Sequence, residues 1–273
     1  MTGLRIIDIH DQADERLVDF RDLSDADRRP DTGRGVVIAE GVPVVERMLA
    51  SRFRPHAVLG VAARLERLAP ALDRLGADAP ACYRVTADLM ARVVGFHLNR
   101  GVLAAARRPP TPDAGELLDG ARTVVVLEGV NDHENLGAIF RNAAGLGADA
   151  VLFGPRCSDP LYRRAVRVSM GHVLLVPFAR LGVDGSGWPV DALDTLRARG
   201  FRTVALTPGG DTRLQHAADG ERVAFLVGAE GPGLTAKTLD AADARAAIPM
   251  ARGTDSLNVA TAAALALYER ARG

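Results

Sequence analysis

The sequence predicts an α/β protein in two parts, a smaller N-terminal α/β domain over residues 1–107 and a C-terminal domain over 121–273 built on a mainly parallel sheet. Three observations carry this expectation. Strand-like and helix-like segments alternate along nearly the whole chain. The C-terminal strand candidates include continuous β-branched runs suited to burial on both faces. Residues 108–120, RPPTPDAGELLDG, are rich in proline, glycine and acidic side chains and read as a linker.

Taken in order from about residue 15, the first domain alternates GVVIAEG, VPVVERMLASR, HAVLGV, RLERLAPALDRLG, ACYRV, ADLMARVVG and GVLAAAR. The second opens with ARTVVVLEG (121–129), and further strands are expected at 149–154, 173–178, 201–207, 223–228 and 245–250, with helices between them. Strands joined through helices pair in parallel, and such sheets bind ligands at their carboxyl ends. The informative loops are therefore those that follow the strands.

The first such segment is NLGAIFRNAAGLG (135–147), a helix that Asn131 or Asp132 can cap and whose core stripe is Leu136, Ile139, Phe140 and Ala143. Asn135, Arg141 and Asn142 interrupt that stripe at the loop end of the sheet, where a substrate could sit. The second is VGAEGPGL, whose three glycines permit close backbone approach to a flat ligand and whose Glu230 lies just past a strand end. The helix after it is expected over 234–247. The third is IPMARGTDSLNVATAAALALYERAR (248–272), where Ser256 or Asp255 can cap a long alanine-rich helix and Ser256 and Asn258 stand at its entrance.

GPGLTAKT (231–238) is one residue from the phosphate-loop pattern G-x-x-x-x-G-K-[ST], and its Lys237 is the only lysine in the chain. The departure matters, because Ala236 occupies the place where the pattern needs glycine and Pro232 removes a backbone N–H donor. A nucleotide hydrolase would also need a magnesium-binding aspartate at a strand end, where VVVLEG offers only Glu128.

Composition narrows the remaining classes. With 273 residues and 48% hydrophobic content, the chain can bury one large core or two modest ones. The formal net charge is zero, from 34 basic and 34 acidic residues, so bulk electrostatics gives no push toward nucleic acid, although a local patch is compatible with neutrality. Cys82 and Cys157 fall in different halves, outside any C-x-x-C spacing, and are expected as buried free thiols. His133 and His172 have no second ligand at metal spacing, so no metal site is expected. The lack of an apolar span or signal-like N-terminus predicts a cytoplasmic protein with no membrane partner.

Three motifs decide the reading together. N-x-G-x-x-x-R-N-A at 135–143, G-A-E-G-P-G-L at 228–234 and I-P-M-x(5)-S-L-N-V at 248–259 resemble, in order and spacing, those of the SpoU (TrmH-like) RNA 2′-O-ribose methyltransferases of the SPOUT superfamily. The resemblance covers about 150 residues closely, while VVIAEGVPVVERML and HLNRGVLAAARRP resemble more loosely the family's ribosomal-protein-like RNA-binding domain.

That resemblance implies a parallel-sheet SPOUT domain with a C-terminal trefoil knot, S-adenosylmethionine as cofactor, an RNA substrate and a homodimer. Thr207, Gly228, Glu230, Gly231, Ile248, Met250, Ser256 and Leu257 would hold the cofactor, several through backbone groups. Asn135, Arg141, Glu230, Ser256 and Asn258 would form the catalytic set, with Arg141 and Glu230 acting as a pair. Ala260 stands where the family usually has serine, and Thr261 follows it. The implied reaction is methylation of a ribose 2′-hydroxyl, in ribosomal RNA by analogy of the first domain, with transfer RNA as the alternative substrate. Arg163, Arg164 and Arg167 in LYRRAVRVSMGH would either meet RNA or form one solvated helix face. Two other classes are a phosphate-loop hydrolase and a non-catalytic RNA-binding scaffold. The scaffold predicts loss of Arg141, Glu230 or Asn258, and all three are present.

Overall fold

The computed structural model describes residues 5–23, 35–182 and 187–272. Its contacts divide the chain into two compact units, one of 1–109 with 161–175 and the other of 110–160 with 176–273. The sequence reading assigned all of 121–273 to one domain; the contacts instead group residues 161–175 with the first unit.

The first unit holds a five-stranded sheet in the order β1-β4-β3-β5-β2, with β1 Ile6–Asp8, β2 Val36–Glu40, β3 Pro55–Gly60, β4 Ala81–Arg84 and β5 Val102–Arg107. β1, β4 and β3 run parallel, while β5 is antiparallel to both β3 and β2. The short strand β1 falls before the part of the chain in which alternation was read. Local signals set the helices: Thr86 caps Ala87–Val94 by accepting from the Leu89 amide, and Gly95 ends that helix at φ +84°. Burial of Leu17, Phe20, Leu59, Met90, Val94 and Leu103 forms one core of this unit.

The segment 161–175 joins that unit through specific chemistry. Arg163 Nη1 donates to Glu40 Oε2 at 2.8 Å, and its guanidinium lies 4.9 Å from the Phe96 ring centroid. Arg47 Nη1 donates to the Met170 carbonyl at 2.8 Å. Glu40 is only 5% exposed and lies beside both Arg163 and, at 3.8 Å, Arg100 Nε. Arg163→Ala is therefore expected to destabilise the protein by about 2 kcal/mol, read by chemical denaturation, because it removes the closer of the two arginines beside a buried carboxylate and leaves only Arg100 Nε, at 3.8 Å.

The second unit is a seven-stranded, wholly parallel sheet in the order β10-β12-β9-β11-β6-β7-β8. The strands are β6 Thr123–Glu128, β7 Ala150–Phe153, β8 Phe178–Arg180, β9 Phe201–Leu206, β10 Thr212–Arg213, β11 Arg222–Gly228 and β12 Ala244–Ala247. Every residue of β6 is buried, as its β-branched run predicts. Phe140, Phe153 and Phe178 pack together with ring centroids 5.8 to 6.2 Å apart.

Several local expectations are corrected. The strand expected at 173–178 is a 3-10 turn over His172–Leu174, and the strand itself is Phe178–Arg180. The helix expected over 234–247 spans only Ala236–Ala241, since the chain must turn back to lay β12 beside β9. The linker contains a helix, Ala114–Asp119, capped by Asp113 and anchored by the fully buried Leu118; its few apolar positions were too short a run to show periodicity. Cys82 is buried and Cys157 half-buried, both free; burial pushes the Cys82 thiol up to about 11 and raises that of Cys157 as well. Among the described residues, no helix is long and apolar enough to cross a membrane, and no three His, Cys, Asp or Glu side chains cluster where they could hold a metal.

Candidate active site

Parallel pairing brings the loops of interest to one edge of the second sheet. Gly228 at the end of β11 pairs in register with Glu128 at the end of β6, and the Thr207 amide donates to the Ala246 carbonyl at 3.0 Å. The carboxyl ends of β6, β9, β11 and β12 therefore lie together, as expected for a ligand site of a parallel sheet.

A cavity of about 610 Å³ opens there, within the size range of small-molecule sites. All eight residues expected to hold the cofactor line it: Thr207, Gly228, Glu230, Gly231, Ile248, Met250, Ser256 and Leu257. Leu206, Val227, Leu234 and Leu239 add an apolar floor that no motif had indicated. Lys237 is exposed on its helix and does not line the cavity, as the departure from the phosphate-loop pattern suggests.

The glycine loop explains its own composition. The Gly233 amide donates to the Ala229 carbonyl at 2.9 Å, folding the loop back on itself, with Gly231 at φ +86° and Gly233 at φ +70°. A Cβ on Gly228 would lie 2.5 Å from the Gly233 carbonyl oxygen and would overlap the Gly233 carbon and Leu234 nitrogen. Only glycine fits between these two backbone strands of the loop.

Asn258 organises the polar part of the site. Its Oδ1 accepts from the amides of Ala260 at 2.9 Å and Thr261 at 3.2 Å, so it caps the helix Val259–Arg272. Neither Asp255 nor Ser256 takes that role. Backbone amides can only donate, which fixes the Asn258 side chain with its Nδ2 outward. That Nδ2 donates to Asn135 Oδ1 at 2.7 Å and to Glu230 Oε1 at 2.8 Å. One side chain from each of the three motifs thus meets at a single amide group.

The helix His133–Gly145 supplies the opposite side. Asp132 caps it by accepting from the Glu134 and Asn135 amides. Asn135 and Asn142 are seven residues apart and share a face, and Asn142 Nδ2 donates to the Ala260 carbonyl at 3.0 Å. Both asparagines therefore hold the start of the C-terminal helix. Arg141, one residue off that stripe, is exposed and makes no hydrogen bond or ion pair among the described residues. It forms no pair with Glu230, whose Oε1 is held by Asn258 instead.

Arg163, Arg164 and Arg167, expected to meet RNA or form one solvated face, sit in the segment grouped with the first unit, where Arg163 is engaged by Glu40. Sequence reasoning weighed Glu128 only as a magnesium ligand and passed over Thr235, both beside the glycine loop. Glu128 and Thr235 are joined by hydrogen bonds of 3.0 and 3.1 Å. The visible signal was an acidic residue closing an otherwise apolar buried strand.

Asn258→Ala is expected to cost about 1 kcal/mol of stability through the lost cap, and to release Asn135 and Glu230. Asn258→Asp separates the two effects: a carboxylate still caps the helix, but its second oxygen faces Glu230 and the Asn135 carbonyl oxygen. Thermal unfolding should show the first variant less stable and the second near wild type.

The SpoU rRNA Methylase family model matches residues 122–268. An uncharacterized tRNA/rRNA methyltransferase of Mycobacterium bovis is 62% identical over 276 residues, covering 99% of this chain and 93% of that protein. The 23S rRNA (guanosine(2553)-2′-O)-methyltransferase of Bacillus subtilis is 26% identical, covering 95% of this chain and 97% of that one. The crystal structure of an AdoMet-bound rRNA methyltransferase from Sinorhizobium meliloti aligns with a TM-score of 0.78 at 25% identity, covering 98% of both chains.

Proposed function

This chain belongs to the SpoU rRNA methylase family, and from that membership we propose that it transfers the methyl group of S-adenosylmethionine to a ribose 2′-hydroxyl of ribosomal RNA. The observation that carries the reading is the meeting of Asn135, Glu230 and Asn258 beside a cavity lined by the glycine loop and the 248–258 segment. The cavity suits the cofactor in shape and chemistry. Its glycine loop is closed by a backbone hydrogen bond, Gly231 and Gly233 leave open space where side chains would stand, and its lining includes both apolar residues such as Leu206 and Val227 and polar ones such as Thr207 and Ser256.

S-adenosylmethionine supplies an already activated methyl on a sulfonium, so the chain has only to align the 2′-oxygen and manage one proton. Gly228, Gly231, Ile248, Met250 and Leu257 would hold the cofactor, with Thr207 and Ser256 as polar contacts. Glu230 has one oxygen on Asn258 and its other without a hydrogen bond among the described residues, which leaves it open to a donor on the nucleotide. A guanidinium has five donors and no acceptor lone pair, so Arg141 is assigned to stabilise charge developing on the 2′-oxygen rather than to take its proton.

The first unit is assigned to RNA binding, and the reading includes the trefoil knot and homodimer that the family resemblance implies. Residues 251–258 are all exposed, and Leu257 and Tyr268 present apolar surface that a second copy would cover. A rival reading of transfer RNA as substrate finds motivation in the combined tRNA/rRNA name of the mycobacterial relative.

The test begins with calorimetric titration of the protein with S-adenosylmethionine, run beside ATP with magnesium. Micromolar binding of the first alone is expected. Methyl transfer from labelled cofactor to ribosomal or transfer RNA, followed by digestion to nucleosides, then identifies the substrate. Label appearing on a base, or on neither RNA, would overturn the proposal.

A further inference from the structure

Glu128 is a buried carboxylate that the proposed reaction does not use. It ends β6 in register with Gly228 and is 1% exposed. Its Oε2 accepts from the Thr235 amide at 3.1 Å, and its Oε1 accepts from the Thr235 hydroxyl and from Trp188 Nε1, each at 3.0 Å. Arg156 Nη2 lies 3.5 Å from Oε1.

A carboxylate only accepts, so the Thr235 hydroxyl must donate to it. The same Thr235 oxygen then accepts from the Thr238 amide at 3.3 Å and from the Thr238 hydroxyl at 2.9 Å. Thr235 is thereby gripped through both backbone and side chain, immediately after the glycine loop. At its other end the loop leaves β11 at Gly228, which the sheet already holds. Between these points the loop carries Glu230 and the cavity-lining Gly231 and Gly233.

We infer that Glu128 is a positioning residue for the cofactor loop: by clamping Thr235 it closes the second end of residues 228–234 and sets the mouth of the cavity. This rests on the reading of that cavity as the S-adenosylmethionine site. A neutral amide cannot replace the clamp. In Glu128→Gln, an NH2 group must face either the Thr235 amide or the Trp188 indole N–H, both of which are donors.

The test uses the full chain with Glu128→Gln, Thr235→Val and Thr235→Ser, read by S-adenosylmethionine titration and by hydrogen exchange of the Gly233 and Thr235 amides. Glu128→Gln and Thr235→Val are expected to weaken cofactor affinity about tenfold, the loss of about one hydrogen bond's worth. In both, the two loop amides should exchange faster while β6 and β11 amides keep wild-type protection. Thr235→Ser, which keeps the hydroxyl, should restore both readouts. Wild-type affinity and exchange in Glu128→Gln would overturn the inference, as would loss of protection spread evenly through β6 and β11. If Glu128→Gln does not fold, Thr235→Val decides by the same readouts. Should wild-type protein fail to bind S-adenosylmethionine, the cofactor reading falls, and unchanged loop exchange in Thr235→Val would then overturn the clamp by itself.

Discussion

Arg141→Ala is expected to lower the rate of methyl transfer by at least about 100-fold, the usual scale for removing a donor aimed at a developing oxyanion. Folding should not suffer, because the side chain is exposed and makes no hydrogen bond or ion pair among the described residues. Cofactor affinity should be unchanged as well, since Arg141 does not line the cavity. Single-turnover kinetics beside calorimetry would show this combination of intact binding and lost chemistry. Arg141→Lys should recover part of the rate, as a point charge without the planar fork. A near wild-type rate in the alanine variant would remove Arg141 from the reaction.

Gly228→Ala is expected to weaken cofactor binding strongly, through shape alone. The added methyl would overlap backbone atoms of Gly233 and Leu234, which cannot rotate aside as a side chain can. The loop must open, and the Ala229–Gly233 hydrogen bond that closes it must lengthen or break. An affinity loss of at least about 100-fold is expected from displacing the loop, corresponding to roughly 3 kcal/mol. Titration with S-adenosylmethionine checks the binding, and circular dichroism checks that β11 and its neighbours still form. Affinity within a few-fold of wild type would mean that the cofactor does not depend on this loop.

Legibility in the sequence followed the range of the interactions. The β6 run TVVVLE announced a strand buried on both faces because hydrophobic content alone reports that state. Asp132, one of two cap candidates beside Asn131, was readable because capping acts over two or three residues. The strand expected at 173–178 failed for the complementary reason: Val173 and Leu174 are apolar because they are buried in a 3-10 turn of the first unit, and apolar runs do not state which partner buries them. The short helix at 114–119 escaped because one buried leucine makes no period.

The sequence placed the three motifs at strand ends of one parallel sheet, and the eight residues that the family resemblance implied for the cofactor, seven of them in those motifs and Thr207 outside, line one cavity. Tertiary structure alone decided how they are wired. Asn258 rather than Ser256 caps the last helix, Glu230 turns to Asn258 rather than to Arg141, and Glu128 grips Thr235 across 107 residues of chain. The physical reason is that hydrogen-bond donors and acceptors are satisfied by whichever partner folding brings within about 3 Å, and that proximity is set by strand pairing between distant segments, which spacing along the chain does not encode.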